Sequence, residues 1–328
     1  MKKIALIIFL FSFVLTSKLV ASVAPVTFAP VIKMSASGPV SIPITVNGFT
    51  DIGAITLSLE YDPAIITYQN TYTKNAAFGS SFEVGDLPIQ GESNKRIFIF
   101  WYGTGVSLAN GSTLCTLNFT YSTVNGTTTG LTWYDNGPSC EYADVYGYPL
   151  LDTPTADYYK NGAVTPPLSV NFSASNLTPP KNTTVTFTDL TTGGATSWDW
   201  SFDRTTVSYV NPTNSHSKNP QVQFTDGGLY TVKLVAHTSY IADSVTKTGY
   251  IRAGIAGTWT GKTSADWNTL SNWDDYLLPI SSTDVIIPAS ALNWPVFNGN
   301  LILGTNCRNL SLIGQSSKMT ITGNLSIP

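Results

Sequence analysis

The chain has 328 residues, with 17 Lys and Arg against 20 Asp and Glu for a formal net charge of -3; 11% of it is charged and 12% is aromatic. That balance excludes a basic nucleic-acid binder, and so many aromatics with so few charges exclude a disordered chain. The length suits two or three domains.

The first element is a leader. Met1-Lys2-Lys3 is a short basic start, Ile4 to Leu15 is apolar apart from one Ser, and Val20-Ala21-Ser22 or Ser22-Val23-Ala24 supplies small residues for cleavage. This predicts a secretory signal peptide over residues 1–22 and a secreted or cell-surface protein. The apolar run is much shorter than the ~20 residues of a membrane span, and no second run follows, so no transmembrane segment is expected. Without Lys2, Lys3 and Lys18 the balance is 14 basic to 20 acidic residues.

No segment sustains an apolar period of 3.6. Short β-branched or aromatic alternations, broken by Gly, Pro, Asn and Asp, run throughout, which predicts an all-β chain. Val164-Thr-Pro-Pro-Leu168 and Ala253-Gly-Ile-Ala-Gly257 read as junctions, giving segments 25–165, 168–253 and 257–328.

In the first segment, strands are predicted over Val40–Val46, Ile52–Tyr61, Ala64–Tyr68, Arg96–Tyr102, Gly111–Tyr121 and Tyr159–Thr165. The Ile42-Pro-Ile-Thr-Val46 strand, Leu59-Glu-Tyr-Asp-Pro63 followed by Ile65-Ile66, the stretch Phe100 to Gly105 and the closing Asn161-Gly-Ala-Val164 carry a resemblance to the cohesin domain. That resemblance implies a jelly-roll sandwich, related to carbohydrate-binding modules, that holds a dockerin-bearing protein. The polar residues that make key hydrogen bonds in dockerin-binding cohesins fall here near Ala54 and Thr56. Ala54 offers no side-chain hydrogen bond and Thr56 replaces an acid. An aromatic stands near Tyr102 where those cohesins carry another acid, so charge-assisted anchoring is weakened.

Those replacements also suit sugar. Trp101, Tyr102, Trp133, Tyr134, Tyr142, Tyr146 and Tyr148 crowd the second half of the segment. Aromatic faces stack on pyranose rings while Asn, Asp and Ser satisfy the hydroxyls. Trp101 and Tyr102 are adjacent, so on a strand only one of them reaches the outer surface, and the competing role for every one of these rings is core packing. Of the three cysteines, Cys115 and Cys140 are the candidates for a disulfide between strands of this segment. The alternative is that they are buried as small hydrophobes. Cys307 stays free in either case, and no cysteine spacing suggests a metal site.

In the second segment Trp198-Asp-Trp-Ser-Phe-Asp203 alternates strictly, with Trp198, Trp200 and Phe202 on one face and Asp199, Ser201 and Asp203 on the other. An Asn/Ser/Pro-rich loop and Gln221 to Ala236 follow. The combination resembles the PKD domain, whose usual core reads Trp-Asp-Phe-Gly-Asp-Gly; Trp198 and Asp199 match, and Ser201-Phe202-Asp203 depart. The resemblance implies an immunoglobulin-like sandwich acting as a spacer or contact module. Asp199 and Asp203 stand on the wet face, where calcium is held at some sandwich ends, but two carboxylates four apart are too weak a signal to assign it. No cofactor is therefore expected. His216 falls in the loop. His237 shares a face with Lys233 and Val235, opposite Val232, Leu234 and Ala236, and neither histidine fits a catalytic arrangement.

The third segment carries Trp259, Trp267 and Trp273, then Asp284-Val-Ile-Ile-Pro288 and short strands at Leu301–Leu303, Leu310–Ile313 and Met319–Ile327, every nine or ten residues. It resembles the Trp-rich repeats of bacterial surface adhesins and suits the start of a β-solenoid that continues past Pro328. No carboxylate pair sits in a recognisable glycosidase motif and no phosphate loop is present. The expected function is therefore non-catalytic: an extracellular scaffold that binds polysaccharide or a dockerin-bearing protein. The alternatives are an adhesin segment made of spacers and, more remotely, the N-terminal part of a polysaccharide hydrolase.

Overall fold

The computed structural model describes residues 22–89, 91–122 and 127–327; the expected leader lies, apart from Ser22, outside the described residues. The described chain is all-β except for the single turns Thr155–Tyr158 (α1) and Leu270–Asn272. It divides into two compact units, the first spanning 22–32, 37–122 and 129–164, the second 165–327 with the segments 33–36 and 127–128.

Unit 1 is a two-sheet sandwich. Its strands are β1 (Val26–Phe28), β2 (Val31–Lys33), β3 (Gly38–Asn47), β4 (Ile52–Tyr61), β5 (Ile66–Lys74), β6 (Glu83–Pro88), β7 (Lys95–Val106), β8 (Ser112–Tyr121), β9 (Thr129–Trp133), β10 (Glu141–Asp144), β11 (Tyr159–Lys160) and β12 (Gly162–Thr165). One sheet runs β11-β1-β3-β8-β5; the other runs β2-β12-β9-β4-β7-β6, with β10 also paired to β4. The order is jelly-roll-like and the sandwich is open. Alternation decides which face is core. Ile55, Leu57, Leu59 and Tyr61 of β4 and Ile97, Ile99 and Trp101 of β7 are buried. They meet Val40, Ile42, Ile44 and Val46 of β3 and Leu117, Phe119 and Tyr121 of β8 on the facing sheet. Each such fully buried side chain contributes roughly 1.5–3 kcal/mol.

The candidate disulfide is not formed: Cys115 and Cys140 are free and buried, the alternative that the sequence left open. Cys115 lies in β8, within the five-stranded sheet. Cys140 precedes β10, and its sulfur turns to the backbone of Ser58 and Tyr134. Burial pushes the Cys140 thiol up to about 12 and raises the Cys115 thiol further. Both sulfurs serve as small core groups.

Unit 2 holds two cores. The first belongs to an immunoglobulin-like sandwich of β13 (Phe172–Ala174), β14 (Thr184–Asp189), β15 (Ser197–Phe202), β16 (Val207–Tyr209), β17 (Gln221–Phe224), β18 (Gly228–His237) and β19 (Ala242–Ala253). The sheets run β13-β14-β17-β16 and β15-β18-β19. Trp200 is buried, with Trp198 and Phe202 packed against the same core. The expected wet face also holds: Asp199 and Asp203 stand opposite those rings.

The second core belongs to a parallel β-coil. Its strands are β20 (Asp284–Pro288), β21 (Val296–Phe297), β22 (Leu301–Ile302), β23 (Asn309–Ile313), β24 (Thr320–Ile321) and β25 (Leu325–Ser326). Asp284 pairs with Asn309, Val296 with Thr320 and Leu301 with Leu325, all in parallel, so one coil takes 24–25 residues. Trp259, Trp267 and Trp273 fill the top of this core, with Trp267 and Trp273 centroids 4.6 Å apart.

The two cores of unit 2 are locked by close backbone approach. A Cβ on Gly227 would stand 1.7 Å from the Asp274 carbonyl oxygen, and one on Gly254 (φ +114°) 2.2 Å from it. Only glycine admits that seat. Gly227→Ala is expected to cost about 1–3 kcal/mol by displacing the Asp274 turn, read as a drop in the denaturant midpoint; an unchanged midpoint would show that the seat carries no stability.

Candidate functional site

The outer face of the β10-β4-β7-β6 sheet is the candidate site. The alternation that buries Ile55, Leu57 and Leu59 turns Ala54, Thr56, Ser58 and Glu60 outward, and the alternation in β7 turns out Arg96, Phe98, Phe100 and Tyr102. Antiparallel register then sets these into rows. Glu141, Thr56, Phe100 and Glu83 form one row across four strands. Ala143, Ala54 and Tyr102 form the next, and Ser58, Phe98 and Gly85 the row on the other side.

An aromatic ladder thus climbs β7. Phe100 is 39% and Tyr102 62% exposed, with ring centroids 5.9 Å apart. Phe98 lies back over β6, where Gly85 makes room; a Cβ there would stand 2.3 Å from its ring. Ser81 donates a 2.6 Å hydrogen bond to the Tyr102 carbonyl. Below the ladder, Arg96 stacks on the Tyr134 ring at 3.2 Å and pairs with Glu60 at 3.2 Å, and Asn94 donates to the same carboxylate at 2.8 Å. A shallow cavity of about 290 Å³ opens there beside Ser58, Leu87 and Phe98. Among the described residues, Glu141 and Glu83 carry no ion pair, so a carboxylate flanks the ladder on each side.

Sequence reasoning placed Thr56, Tyr102 and Tyr134 on this segment, and the fold brings them to one face. It overlooked Phe98, Phe100, Arg96, Glu83 and Glu141. The alternation within Arg96–Tyr102 was the signal for Phe98 and Phe100; the cross-strand partners had none, since register between distant strands is not written locally.

Three of the candidate aromatics are core instead. Trp101 is 2% exposed and packs edge-on against Phe78 at 4.9 Å. Trp133 is buried, its Nε1 donating to the Lys160 carbonyl at 3.1 Å. Tyr142 is fully buried, and its hydroxyl shares a 2.7 Å hydrogen bond with Thr27. Each indole or phenol finds an internal polar partner or an aromatic neighbour, so burial costs it little. Tyr146 and Tyr148 remain outside, 82% and 69% exposed, on a turn tied by Asp144, whose Oδ1 accepts the amides of both at 2.8 and 2.9 Å. A cleft of about 800 Å³ lies beside Tyr146, Asp144 and Asp51.

In unit 2 both histidines converge on one carboxylate. His216 Nδ1 stands 2.6 Å from Asp199 Oδ1 and His237 Nε2 2.8 Å from Oδ2. Asp203 accepts the Thr231 amide at 2.9 Å. Among the described residues no three His, Cys, Asp or Glu side chains are arranged to hold a metal. Burial works against the charge on Asp199, but the hydrogen bonds from His237 and His216 outweigh it and hold the carboxyl below its ordinary range. That stabilisation is fully present above the unfolded carboxylate value of about 3.9 and is lost as pH falls through the folded value. Asp199→Asn is therefore expected to shrink the loss of stability between about pH 5 and pH 3; an unchanged acid limb in urea titrations would refute this.

Among solved structures, several cohesins are similar to the chain. A non-cellulosomal cohesin from Archaeoglobus fulgidus is 15% identical over 44% of this chain and 91% of its own, with a TM-score of 0.33. The sixth cohesin of scaffoldin B from Acetivibrio cellulolyticus, solved in complex with a mutant Cel5 dockerin, is 14% identical over 44% and 99%, with a TM-score of 0.34. A cohesin from Clostridium acetobutylicum is 17% identical over 44% and 92%, also at 0.34. No family model matches the sequence, and no curated protein matches it. Among the described residues no helix is long and apolar enough to cross a membrane.

Proposed function

We propose that the chain is a non-catalytic extracellular scaffold whose first sandwich is a cohesin-type recognition module, and that the outer β4–β7 face docks a dockerin-bearing protein. The observation that carries this is the Glu141–Thr56–Phe100–Glu83 row. Phe98, Phe100 and Tyr102 supply an apolar, aromatic centre of the kind that dominates interface energetics. The two flanking carboxylates supply acceptors in place of the acid that Thr56 replaces. They belong to neighbouring strands rather than to β4, and suit a partner that presents Lys, Arg or hydroxyl groups around an apolar patch.

For this docking face the immunoglobulin-like sandwich, read as PKD-like, and the Trp-rich β-coil act as spacers. A second reading, direct polysaccharide binding by unit 1, is favoured by one feature: Tyr146 and Tyr148 on the Asp144 turn.

Capture of a purified dockerin-bearing glycoside hydrolase on immobilised chain, run beside affinity electrophoresis in cellulose, xylan, chitin and alginate gels, separates the readings. Capture, with any gel retardation unchanged in Tyr146→Ser/Tyr148→Ser, is the expected outcome. Retardation without capture that is lost in that variant moves the function to the Tyr146–Tyr148 turn, and the absence of both capture and retardation leaves a spacer protein.

A further inference from the structure

A second cavity, of about 500 Å³, lies within unit 2 where its two cores meet. That volume falls in the ~300–1,000 Å³ range of small-molecule sites. Two reciprocal ion pairs frame it: Lys181 of the immunoglobulin-like sandwich reaches Asp274 of the β-coil at 2.5 Å, and Lys262 of the β-coil reaches Asp226 of the sandwich at 2.5 Å. Arg204 adds a third contact to Asp226 at 3.2 Å. The charged residues of the lining, Lys181, Lys262, Asp226 and Asp274, are thus paired with one another, which leaves no unpaired cation in the lining.

What is left over is neutral. Among the described residues, the hydroxyls of Thr258, Ser290 and Tyr276 line the cavity and make no hydrogen bond within the chain. Apolar lips stand beside them: Ile255 is 52% and Leu292 74% exposed, an unusual position for two large aliphatic side chains at the rim of one hollow. Tyr276 itself is held at φ +60°. A bulky residue in the left-handed region is costly and persists only where its surroundings force it. Here the forcing contacts are visible: its amide donates to the Trp273 carbonyl at 3.1 Å, and Arg204 packs 5.4 Å from its ring. Tyr276 held in this way is part of the cavity lining.

We propose that this cavity is a binding site for a short neutral oligosaccharide, separate from the docking face of unit 1. A pyranose has the matching chemistry. Its apolar face fits Tyr276, Ile255 and Leu292, while its uncharged hydroxyls exchange hydrogen bonds with Thr258, Ser290 and Tyr276. An acidic saccharide is disfavoured because the flanking lysines are already neutralised by Asp274 and Asp226, so its carboxylate would face both aspartates without a free cation.

Saturation-transfer NMR on the full chain tests this with cellotetraose, xylotetraose, mannotetraose and chitotetraose as probes and tetragalacturonate as the acidic comparator. Saturation transfer to at least one neutral probe is expected. It should fall at least fivefold in Ser290→Phe, which fills the rim from an exposed position, and in Tyr276→Asn, which keeps a residue tolerant of the left-handed backbone but removes the ring. It should persist in Phe100→Ser/Tyr102→Ser, so failure here and failure of the docking face are told apart. Thermal unfolding of both unit 2 variants checks that they fold; Thr258→Val, which removes only a hydroxyl, provides a milder third test. The proposal is overturned by no transfer to any neutral probe, by stronger transfer to tetragalacturonate, by a signal that survives Ser290→Phe in a folded chain, or by a signal lost with the unit 1 variant.

Discussion

Replacing Phe100 and Tyr102 together by Ser is expected to weaken capture of a dockerin-bearing protein at least a hundredfold while moving the thermal midpoint by less than about 3 °C. The two halves of this prediction have separate causes. Both rings stand on the outer face, 39% and 62% exposed, so their removal takes little apolar area from the core. In an interface, buried aromatic anchors each cost about 2 kcal/mol or more when truncated. Even with partial non-additivity, two of them exceed the ~2.7 kcal/mol of a hundredfold change. The neighbouring Trp101 gives the contrast. It points the other way along the same strand and is 2% exposed. Trp101→Ala is expected to cost about 3–5 kcal/mol of stability. Surface plasmon resonance and thermal denaturation on the same preparations check both, and a double variant that captures as well as the parent would remove the ladder from the docking face.

Trp273→Ala should be the most damaging single change in unit 2, again by about 3–5 kcal/mol. Trp273 has no exposed surface and lies 4.6 Å from Trp267 and 5.0 Å from Trp259. Its Nε1 donates to the Trp267 carbonyl at 2.9 Å, so truncation also strands a buried acceptor. The next residue, Asp274, is the one seated on Gly227 and Gly254, so the loss should reach the sandwich core too. Hydrogen exchange would show this as lost protection across 257–327 and in the ends of β18 and β19, with unit 1 unaffected. Loss confined to residues 257–327 would mean that the Asp274 seat does not couple the two cores.

Strands with strong alternation were legible from sequence. β3, β4, β7 and β8 fall where Val40–Val46, Ile52–Tyr61, Arg96–Tyr102 and Gly111–Tyr121 predict them. β20 spans Asp284–Pro288, the segment its apolar run marks. β19 escaped notice although it is 12 residues long. It reads Ala-Asp-Ser-Val-Thr-Lys-Thr-Gly at its start and is mostly exposed, held to β18 by backbone pairing rather than by apolar burial. β6 escaped for a related reason, since Glu-Val-Gly-Asp-Leu-Pro carries two breakers; Gly85 is there because Phe98 lies over it.

The candidate site was half legible. Thr56 and Tyr102 came from positions where the cohesin resemblance locates contacts, but the flanking carboxylates come from β10 and β6, more than 40 residues apart in sequence. Aromatic crowding misled at Trp101, Trp133 and Tyr142. Ring content alone does not separate a core ring with an internal partner from a ring that awaits one. The partners (Phe78, the Lys160 carbonyl and Thr27) are set by tertiary packing. Likewise, Asp199 showed in sequence as a wet-face acid, and only the fold shows both histidines closing on it.

The most direct test of recognition by the outer sheet is a hydrogen-exchange footprint of the full chain with and without a captured dockerin-bearing glycoside hydrolase. New protection should concentrate in β4, β7 and β6, at residues 54–60, 96–102 and 83–87, with β15, β18 and β19 unchanged. Protection confined to unit 2, or on the Tyr146–Tyr148 turn with β4 and β7 untouched, would contradict it.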